Sequence, residues 1–264
     1  MTAIDYSTVT EAHGTQITRE ALDMMWTRYA FAADLCRGRD VLEVACGAGQ
    51  GLGLLARHAR RVVGGDYTMS LLEMARRQYG AAIPLARLDG HRLPFAAGTF
   101  DVVILFEAIY YLSHADAFLD ECRRVLRPGG VVIVSTVNRE WSEFNPSPFS
   151  TKYWSARELT GLLAAKGFTA DVRGGFLAAR GSVRDTIVAA IKRIAVTLHL
   201  MPKTMAGKRV LKRLFLGSLV DFPGEIREGM AAYSEPAPLA AAPDRSEVKV
   251  LYAVGRLAAA PPTS

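Results

Sequence analysis

The stretch VLEVACGAGQGLGLLAR, residues 41–57, sets glycine at every second position, Gly47, Gly49, Gly51 and Gly53, between an apolar run and a helical one. Glycines at such a junction let backbone amides and a helix N-terminus approach a ligand closely. Asp66 ends the next apolar run, RRVVGGD, where a carboxylate suits the two hydroxyls of a ribose. The pattern fits a nucleotide-type cofactor. The glycines alone leave a phosphate-bearing dinucleotide and a nucleoside with an amino-acid tail both open. A second group of chemically able side chains follows in FEAIYYLSHAD, with Glu107, Tyr110, Tyr111 and His114. These could orient an acceptor or remove its proton. One carboxylate beside two phenols is a poor site for a hard divalent cation, so no catalytic metal is expected.

Such residues need a frame that brings strand ends together. VLEVA (41–45), RRVVGGD (60–66), IPLARLD (83–89), FDVVILF (100–106) and VVIVSTV (131–137) read as strands. QGLGLLARHA, TMSLLEMARRQY and HADAFLDECRRVL read as the helices between them. The strands are near-continuous apolar runs, as expected where helices cover both faces of a sheet. Alternation of strand and helix predicts a parallel, doubly wound α/β sheet, with ligands beyond the carboxyl ends of its strands. Upstream, residues 17–36 read as an amphipathic helix carrying Leu22, Met25, Trp26, Tyr29 and Ala33 on one side. Downstream, NREWSEFNPSPFSTKYW reads as a loop, and SARELTGLLAAKGF as a helix with a Ser155–Glu158 capping box. FTADVRG and Glu247–Leu257 read as further strands, and SEPAPLAAAPD as an extended surface segment. The connection between those two strands, roughly 70 residues, is too long to lack structure of its own. The expected organisation is a helical cap over 1–36, a cofactor-binding core over 37–174, a basic helical insertion or lid over 175–246, and a last strand and tail over 247–264.

Four segments carry a resemblance to a known family: VLEVACGAGQG (41–51), VVGGDYTMSLLEMAR (62–76), LDGHRLPFAAGTFDVVI (88–104) and ECRRVLRPGGVVIVSTVN (121–138). In order and spacing they resemble the class I S-adenosylmethionine-dependent methyltransferases, in particular the small-molecule group that includes the ubiquinone and menaquinone biosynthetic enzymes. The resemblance implies a Rossmann-like, seven-stranded, mostly parallel sheet and S-adenosyl-L-methionine as cofactor. It implies that Gly47 and Gly49 line the methionine and ribose portions, with Glu43 and Ala45 at the strand end beside them. Asp66 would bind the ribose hydroxyls and Asp89 the adenine amine, with Gly90 and His91 beside the ring. Phe106 and Glu107 would face the methionine end, and Arg28 or Tyr29 on the N-terminal helix would reach the cofactor carboxylate. Several of these residues have plainer readings: Glu43 as a cap on the loop amides, Arg28 as a solvated helix residue, Cys46 as packing, Asp101 as a turn residue.

The chain departs from metal-using relatives, which carry Glu-x-x-Glu-His where this sequence has Glu107, Tyr110 and Tyr111. His114 is then the candidate base, and Tyr110 and Tyr111 the candidates for shaping or orienting the acceptor. The acceptor is expected to be a small molecule, such as a sugar, a lipid-linked compound or a specialised metabolite. A non-catalytic S-adenosylmethionine-binding protein is one alternative. A nicotinamide-dependent oxidoreductase is another, weakened by the absence of a Tyr-x-x-x-Lys motif.

Composition bounds the rest. Hydrophobic residues make up 50% of 264, enough for a substantial core. Three scattered cysteines, Cys36, Cys46 and Cys122, argue against a disulfide framework or zinc site, and a reducing cytoplasm is expected. No secretory pattern or membrane-spanning run is expected from the sequence. The net charge of +6 is local: between Arg180 and Leu216 nine Lys/Arg face only Asp185. The helical stripe of residues 183–200 and the paired cations of 207–219 suit either a lid with its cations in water or a contact with an anionic membrane surface. Stacking aromatics are sparse there, so nucleic acid is not expected as a partner.

Overall fold

The computed structural model describes residues 16–147, 150–177, 219–239 and 245–259. The chain enters through a short strand, β1 (Gln16–Thr18), and turns into α1 (Arg19–Cys36). Thr18 caps that helix, its hydroxyl accepting from the Ala21 amide at 3.1 Å, so the helix starts two residues later than the apolar periodicity suggests. The alternating run follows: β2 (Asp40–Val44), α2 (Leu52–His58), β3 (Arg61–Asp66), α3 (Met69–Tyr79), β4 (Leu85–Arg87), β5 (Phe100–Phe106), α4 (Ala115–Val125) and β6 (Leu126–Val137). After a loop come α5 (Ala156–Ala165) and β7 (Thr169–Leu177), and further on β8 (Leu219–Asp221), β9 (Ala237–Pro238) and β10 (Val248–Arg256).

The main sheet has the order β4-β3-β2-β5-β6-β10-β7-β9. Its first five strands pair in parallel, and β10 runs antiparallel to both β6 and β7. This is the expected doubly wound sheet of seven strands with one addition. The eighth, β9, is two residues of the Pro/Ala-rich segment laid against the free edge of β7, Arg173 opposite Pro238. Proline is tolerated there because an edge strand has a side with no ladder bond to donate.

Alternate residues of the central strands feed two cores. Val103 and Leu105 pack with Phe118, Leu119, Leu159 and Leu163 of α4 and α5. Val102 and Ile104 pack with Trp26, Leu52, Leu55 and Leu72 of α1, α2 and α3. The capping box at α5 is formed: the Glu158 amide donates to the Ser155 hydroxyl at 3.2 Å, and the Ser155 amide to Glu158 at 2.9 Å.

A strap over residues 219–239 crosses the first helices. β8 pairs antiparallel with β1, Ile17 opposite Val220. The Ile226 amide donates to the Gln50 carbonyl at 2.8 Å, and Arg57 donates to Glu225 and to the Ile226 carbonyl at 2.9 and 3.1 Å. Farther along, Ala232 and Ser234 donate amide protons to Asp23 and Thr27 on α1. The strongly basic run from Arg180 to Leu216 lies outside the described residues, and so do the lid and membrane readings attached to it.

Two of the four loop glycines are shaped by this packing. A Cβ on Gly51 would stand 1.8 Å from the Tyr29 ring, and one on Gly53 would stand 2.0 Å from the Glu225 carboxylate. Gly161, by contrast, sits in α5 with nothing near its missing Cβ. Gly51→Ala is therefore expected to destabilise the protein by about 1–3 kcal/mol, the usual cost of overpacking. Gly161→Ala is expected to stabilise it by up to about 1 kcal/mol through helix propensity. Thermal or urea unfolding of the two variants beside the parent checks both signs.

Candidate functional site

The strand order reverses at β2, because β3 lies on one side of it and β5 on the other. Beyond the carboxyl ends of these strands opens a cavity of about 760 Å³, where ligands bind in open α/β sheets. Its rim comes from the Gly loop after β2, the ends of β3 and β5, the loop after β4, α1, and Phe222 of the strap.

The loop turns sharply because Ala45, Gly47 and Gly49 take left-handed φ values of 57°, 57° and 85°. Asp66 fastens it. One carboxylate oxygen accepts the Gly47 amide at 2.9 Å and the other the Thr68 amide at 2.8 Å. Burial pushes the Asp66 pKa up, and these backbone donors only partly offset it. The Tyr67 backbone adds a further hydrogen bond to this carboxylate. Asp89 is half-exposed and binds His91 twice, through the amide at 2.9 Å and the ring Nδ1 at 2.6 Å. Its partial burial pushes upward, but the bonds from His91 prevail and lower its pKa. The His114 amide lies 3.3 Å from His91 Nε2, which assigns Nε2 as acceptor and Nδ1 as the protonated nitrogen toward Asp89.

Under the loop, Glu43 is fully buried and accepts the Tyr29 hydroxyl at 2.6 Å. Its other oxygen has no partner. Burial, with Asp66 nearby, raises its pKa to about 8 against the opposing pull of Tyr29 and Arg28. At the end of β5, Glu107 turns into the cavity at φ 49°. It lies 3.6 Å from Arg28 and 3.4 Å from the Tyr110 hydroxyl. Burial raises its pKa despite both neighbours. Tyr110 stacks on Tyr153 at 4.9 Å between ring centroids and meets Tyr111 edge-on at 4.6 Å.

Of the residues singled out from the sequence, Arg28, Ala45, Gly47, Asp66, Asp89, Gly90, His91, Phe106, Glu107, Tyr110 and Tyr111 line this one cavity. Glu43 and Gly49 lie behind it. Gly49 packs toward Ala75, Tyr79 and Leu52, and its carbonyl accepts the Tyr79 hydroxyl at 2.9 Å. His114 caps α4 and is not among the lining residues. Asp101 sits at the opposite, amino end of the strands, bound to the Asp40 amide and to Arg127 at 2.8 Å each. Sequence reasoning missed Met24, Gln50, Tyr67, Thr151 and Phe222 as lining residues. Gln50 and Tyr67 lie inside the quoted motif segments and were legible by position. Phe222 belongs to no motif and arrives only through the strap. Among the described residues, no three or more His, Cys, Asp or Glu side chains cluster as a metal site, and no helix is long and apolar enough to cross a membrane.

A family profile described as a methyltransferase domain matches residues 42–134. Residues 42–134 form a methyltransferase domain. That domain holds β2 to β6 and with them most of the cavity. A probable S-adenosylmethionine-dependent methyltransferase of Mycolicibacterium smegmatis is 42% identical over 146 residues, 53% of this chain and 56% of the relative. A ubiquinone biosynthesis O-methyltransferase of Bradyrhizobium is 31% identical over 136 residues, 48% of this chain and 51% of the relative. The matches thus span about half the length of the curated relatives. Among solved structures, the 4+2 cyclase SpnF superimposes with a TM-score of 0.58 at 18% identity, covering 91% of this chain and 82% of its own. A SAM-dependent methyltransferase from Thermotoga maritima does so with a TM-score of 0.56 at 16% identity, covering 90% and 93%. These likenesses, at under 25% identity, show a shared fold over about nine-tenths of the chain.

The raised pKa of Glu43 carries a sign. The folded state holds its proton from the ordinary carboxyl range up to about pH 8, while the unfolded chain releases it. Stability is therefore lost as pH rises through that window. Glu43→Gln keeps an acceptor for Tyr29 and removes the titration. The parent-minus-variant difference in urea midpoint is expected to fall between pH 5 and pH 8, and a flat difference would show Glu43 to be ionised throughout.

Proposed function

We propose that this chain transfers a methyl group from S-adenosyl-L-methionine to a small-molecule acceptor. The observation that carries the reading is the arrangement of Asp66, Asp89 and the Gly47 amide around one cavity at the strand-order switch. The residues fit the cofactor. The Asp66 carboxylate lines the cavity beside the Gly loop, and Arg28 is part-buried with its Nε unpartnered. A cavity of about 760 Å³ suits a nucleoside with an amino-acid tail and an acceptor beside it.

In this reading Asp66 holds the ribose hydroxyls. Asp89, Gly90 and His91 hold the adenine, and Arg28 holds the carboxylate. Ala45, Gly47, Phe106 and Glu107 surround the methionine end, while Glu43 and Gly49 support the loop from behind. The cofactor supplies an already activated methyl group, so the protein's task is alignment and exclusion of water. Tyr110 and Tyr111 orient the acceptor. His114, at the N-cap position of α4, acts on the site through the hydrogen bond its backbone amide donates to His91 Nε2. We place the protein in the cytoplasm on the strength of its three buried, unpaired cysteines. Any contact with an anionic membrane rests on the charge of the basic run alone.

Calorimetry with S-adenosylhomocysteine tests the assignment. Asp66→Ala and Asp89→Ala are each expected to weaken binding by roughly 10-fold or more, as for loss of a hydrogen bond to a charged group. Asp101→Asn, at the other end of the sheet, is expected to leave affinity unchanged. Unaltered affinity in both alanine variants refutes the site. Tight binding without transfer to any acceptor in a broad panel supports a binding-only protein instead.

A further inference from the structure

One imidazole on the cavity wall bonds in two directions at once. The His91 side chain is 28% exposed, and the residue lines the cavity. On one side its Nδ1 donates to Asp89 Oδ1 at 2.6 Å, and its own backbone amide donates to the same oxygen at 2.9 Å. Both bonds fall on Oδ1, and among the described residues Oδ2 has no hydrogen-bond partner. On the other side Nε2 accepts the His114 amide at 3.3 Å, with the Ser113 hydroxyl at 3.5 Å. Leu112 and Ser113, in the turn ahead of α4, line the same cavity. Thr151 steadies that turn by donating its hydroxyl to the Leu112 carbonyl at 2.9 Å. His91 is thus the joint between the loop after β4 and the turn that leads into α4.

Only the neutral ring can serve both sides, because a neutral imidazole has one donor nitrogen and one acceptor nitrogen. The imidazolium carries a proton on each. Its Nε2–H would then confront the His114 N–H, donor against donor. The amide also belongs to the N-cap of the eleven-residue α4, and the amino end of a helix disfavours a nearby positive charge. The Ser113 hydroxyl stands at the outer limit of a hydrogen bond, and turning toward it takes the ring off the amide. Two titratable groups face His91. Asp89 lies on its own loop, and the His114 ring comes from the start of α4, with centroids 6.1 Å apart. Asp116 in the first turn of α4 lies instead 3.8 Å from Lys166. Asp89 holds the Nδ1 side in either state and does not relieve the conflict at Nε2.

Resting on the cofactor assignment above, we infer that His91 is a positioning residue for the nucleoside end of the cofactor and acts in its neutral form alone. The neutral ring fixes Asp89 by Oδ1, leaving Oδ2 to the adenine amine, and ties the turn of Ser113 and His114 to the same wall. A proton taken from solvent onto Nε2 undoes that tie and weakens cofactor binding. By reciprocity, cofactor binding expels the proton. Imidazole is the side chain that ordinarily changes charge between pH 5 and 8, so the effect falls in that interval.

Calorimetry of the full chain with S-adenosylhomocysteine at pH 7.5 comes first, because no binding there removes the cofactor reading itself. The titration is then repeated down to pH 5.5. Parent affinity is expected to fall by roughly 5-fold over that range, the effect of one lost hydrogen bond. His91→Ala, which lacks both side-chain bonds, should bind roughly 10-fold more weakly than the parent at pH 7.5. His91→Gln offers an acceptor near the place of Nε2 and cannot take up a proton. It should bind more tightly than His91→Ala and lack the parent's fall with acid. Titration of Glu43, of Glu107 and of the ligand's own tail is common to these proteins and cancels in the comparison. His114→Gln keeps the backbone amide and should keep the fall. A parental pH slope in His91→Gln overturns the inference, as does parental affinity in His91→Ala. Loss of the slope in His114→Gln moves the titration to that ring and overturns it as well.

Discussion

A single phenol holds the architecture of the site together. Tyr29 donates its hydroxyl to the buried Glu43 at 2.6 Å, rests its ring where Gly51 has no side chain, and meets Phe106 edge-on at 5.1 Å. These contacts tie α1 to the end of β2, to the start of α2 and to the end of β5. Together with Trp26, Ala32 and Cys36 in the core below, Tyr29 fixes α1 over the strand ends that the cavity occupies. Met24, Met25 and Arg28 owe their places on the cavity wall to it, and the strap in turn uses α1 as its support.

Around that joint the protein concentrates carboxyl groups where water is scarce. Glu43, Asp66 and Glu107 all have raised pKa values, with burial the largest cause in each case. Among the described lining residues, Arg28 is the one Lys or Arg. Burying carboxyl groups without full compensation costs stability. The same arrangement favours a ligand that brings positive charge to the methionine end, which accords with the sulfonium and ammonium of the proposed cofactor.

The amino ends of the strands are organised by a different principle. Asp40 and Asp101 bind Arg60 and Arg127 in a network at the surface. The hydrogen bond from Arg60 is the largest influence on Asp40 and helps keep its pKa low. Asp40 is buried while its arginine partners reach solvent, and the network stands far from the cavity along the strands. Function and reinforcement thus occupy opposite ends of one sheet, so Asp101 can resemble a motif residue without touching the site.

Much was legible in the sequence because it depends on neighbours along the chain. β5 occupies the apolar run FDVVILF itself, and α5 starts at its Ser155–Glu158 box. Asp66 lies at a strand end because a parallel strand of that length must end there. The motifs therefore determined the doubly wound sheet, the methyltransferase domain and the position of the Gly loop. Only the tertiary structure decided what the individual loop residues do. Gly51 and Gly53 read as ligand glycines in a linear pattern, yet one accommodates the Tyr29 ring and the other the Glu225 carboxylate from a strap more than 170 residues away. Phe222, Thr151 and Met24 enter the cavity through contacts between distant segments, and no local periodicity encodes such contacts. Glu107 was visible as a residue type at a strand end. Its aim into the cavity between Arg28 and Tyr110 comes from a backbone turn and a helix packed across the chain, since side-chain direction is set by packing as well as by spacing.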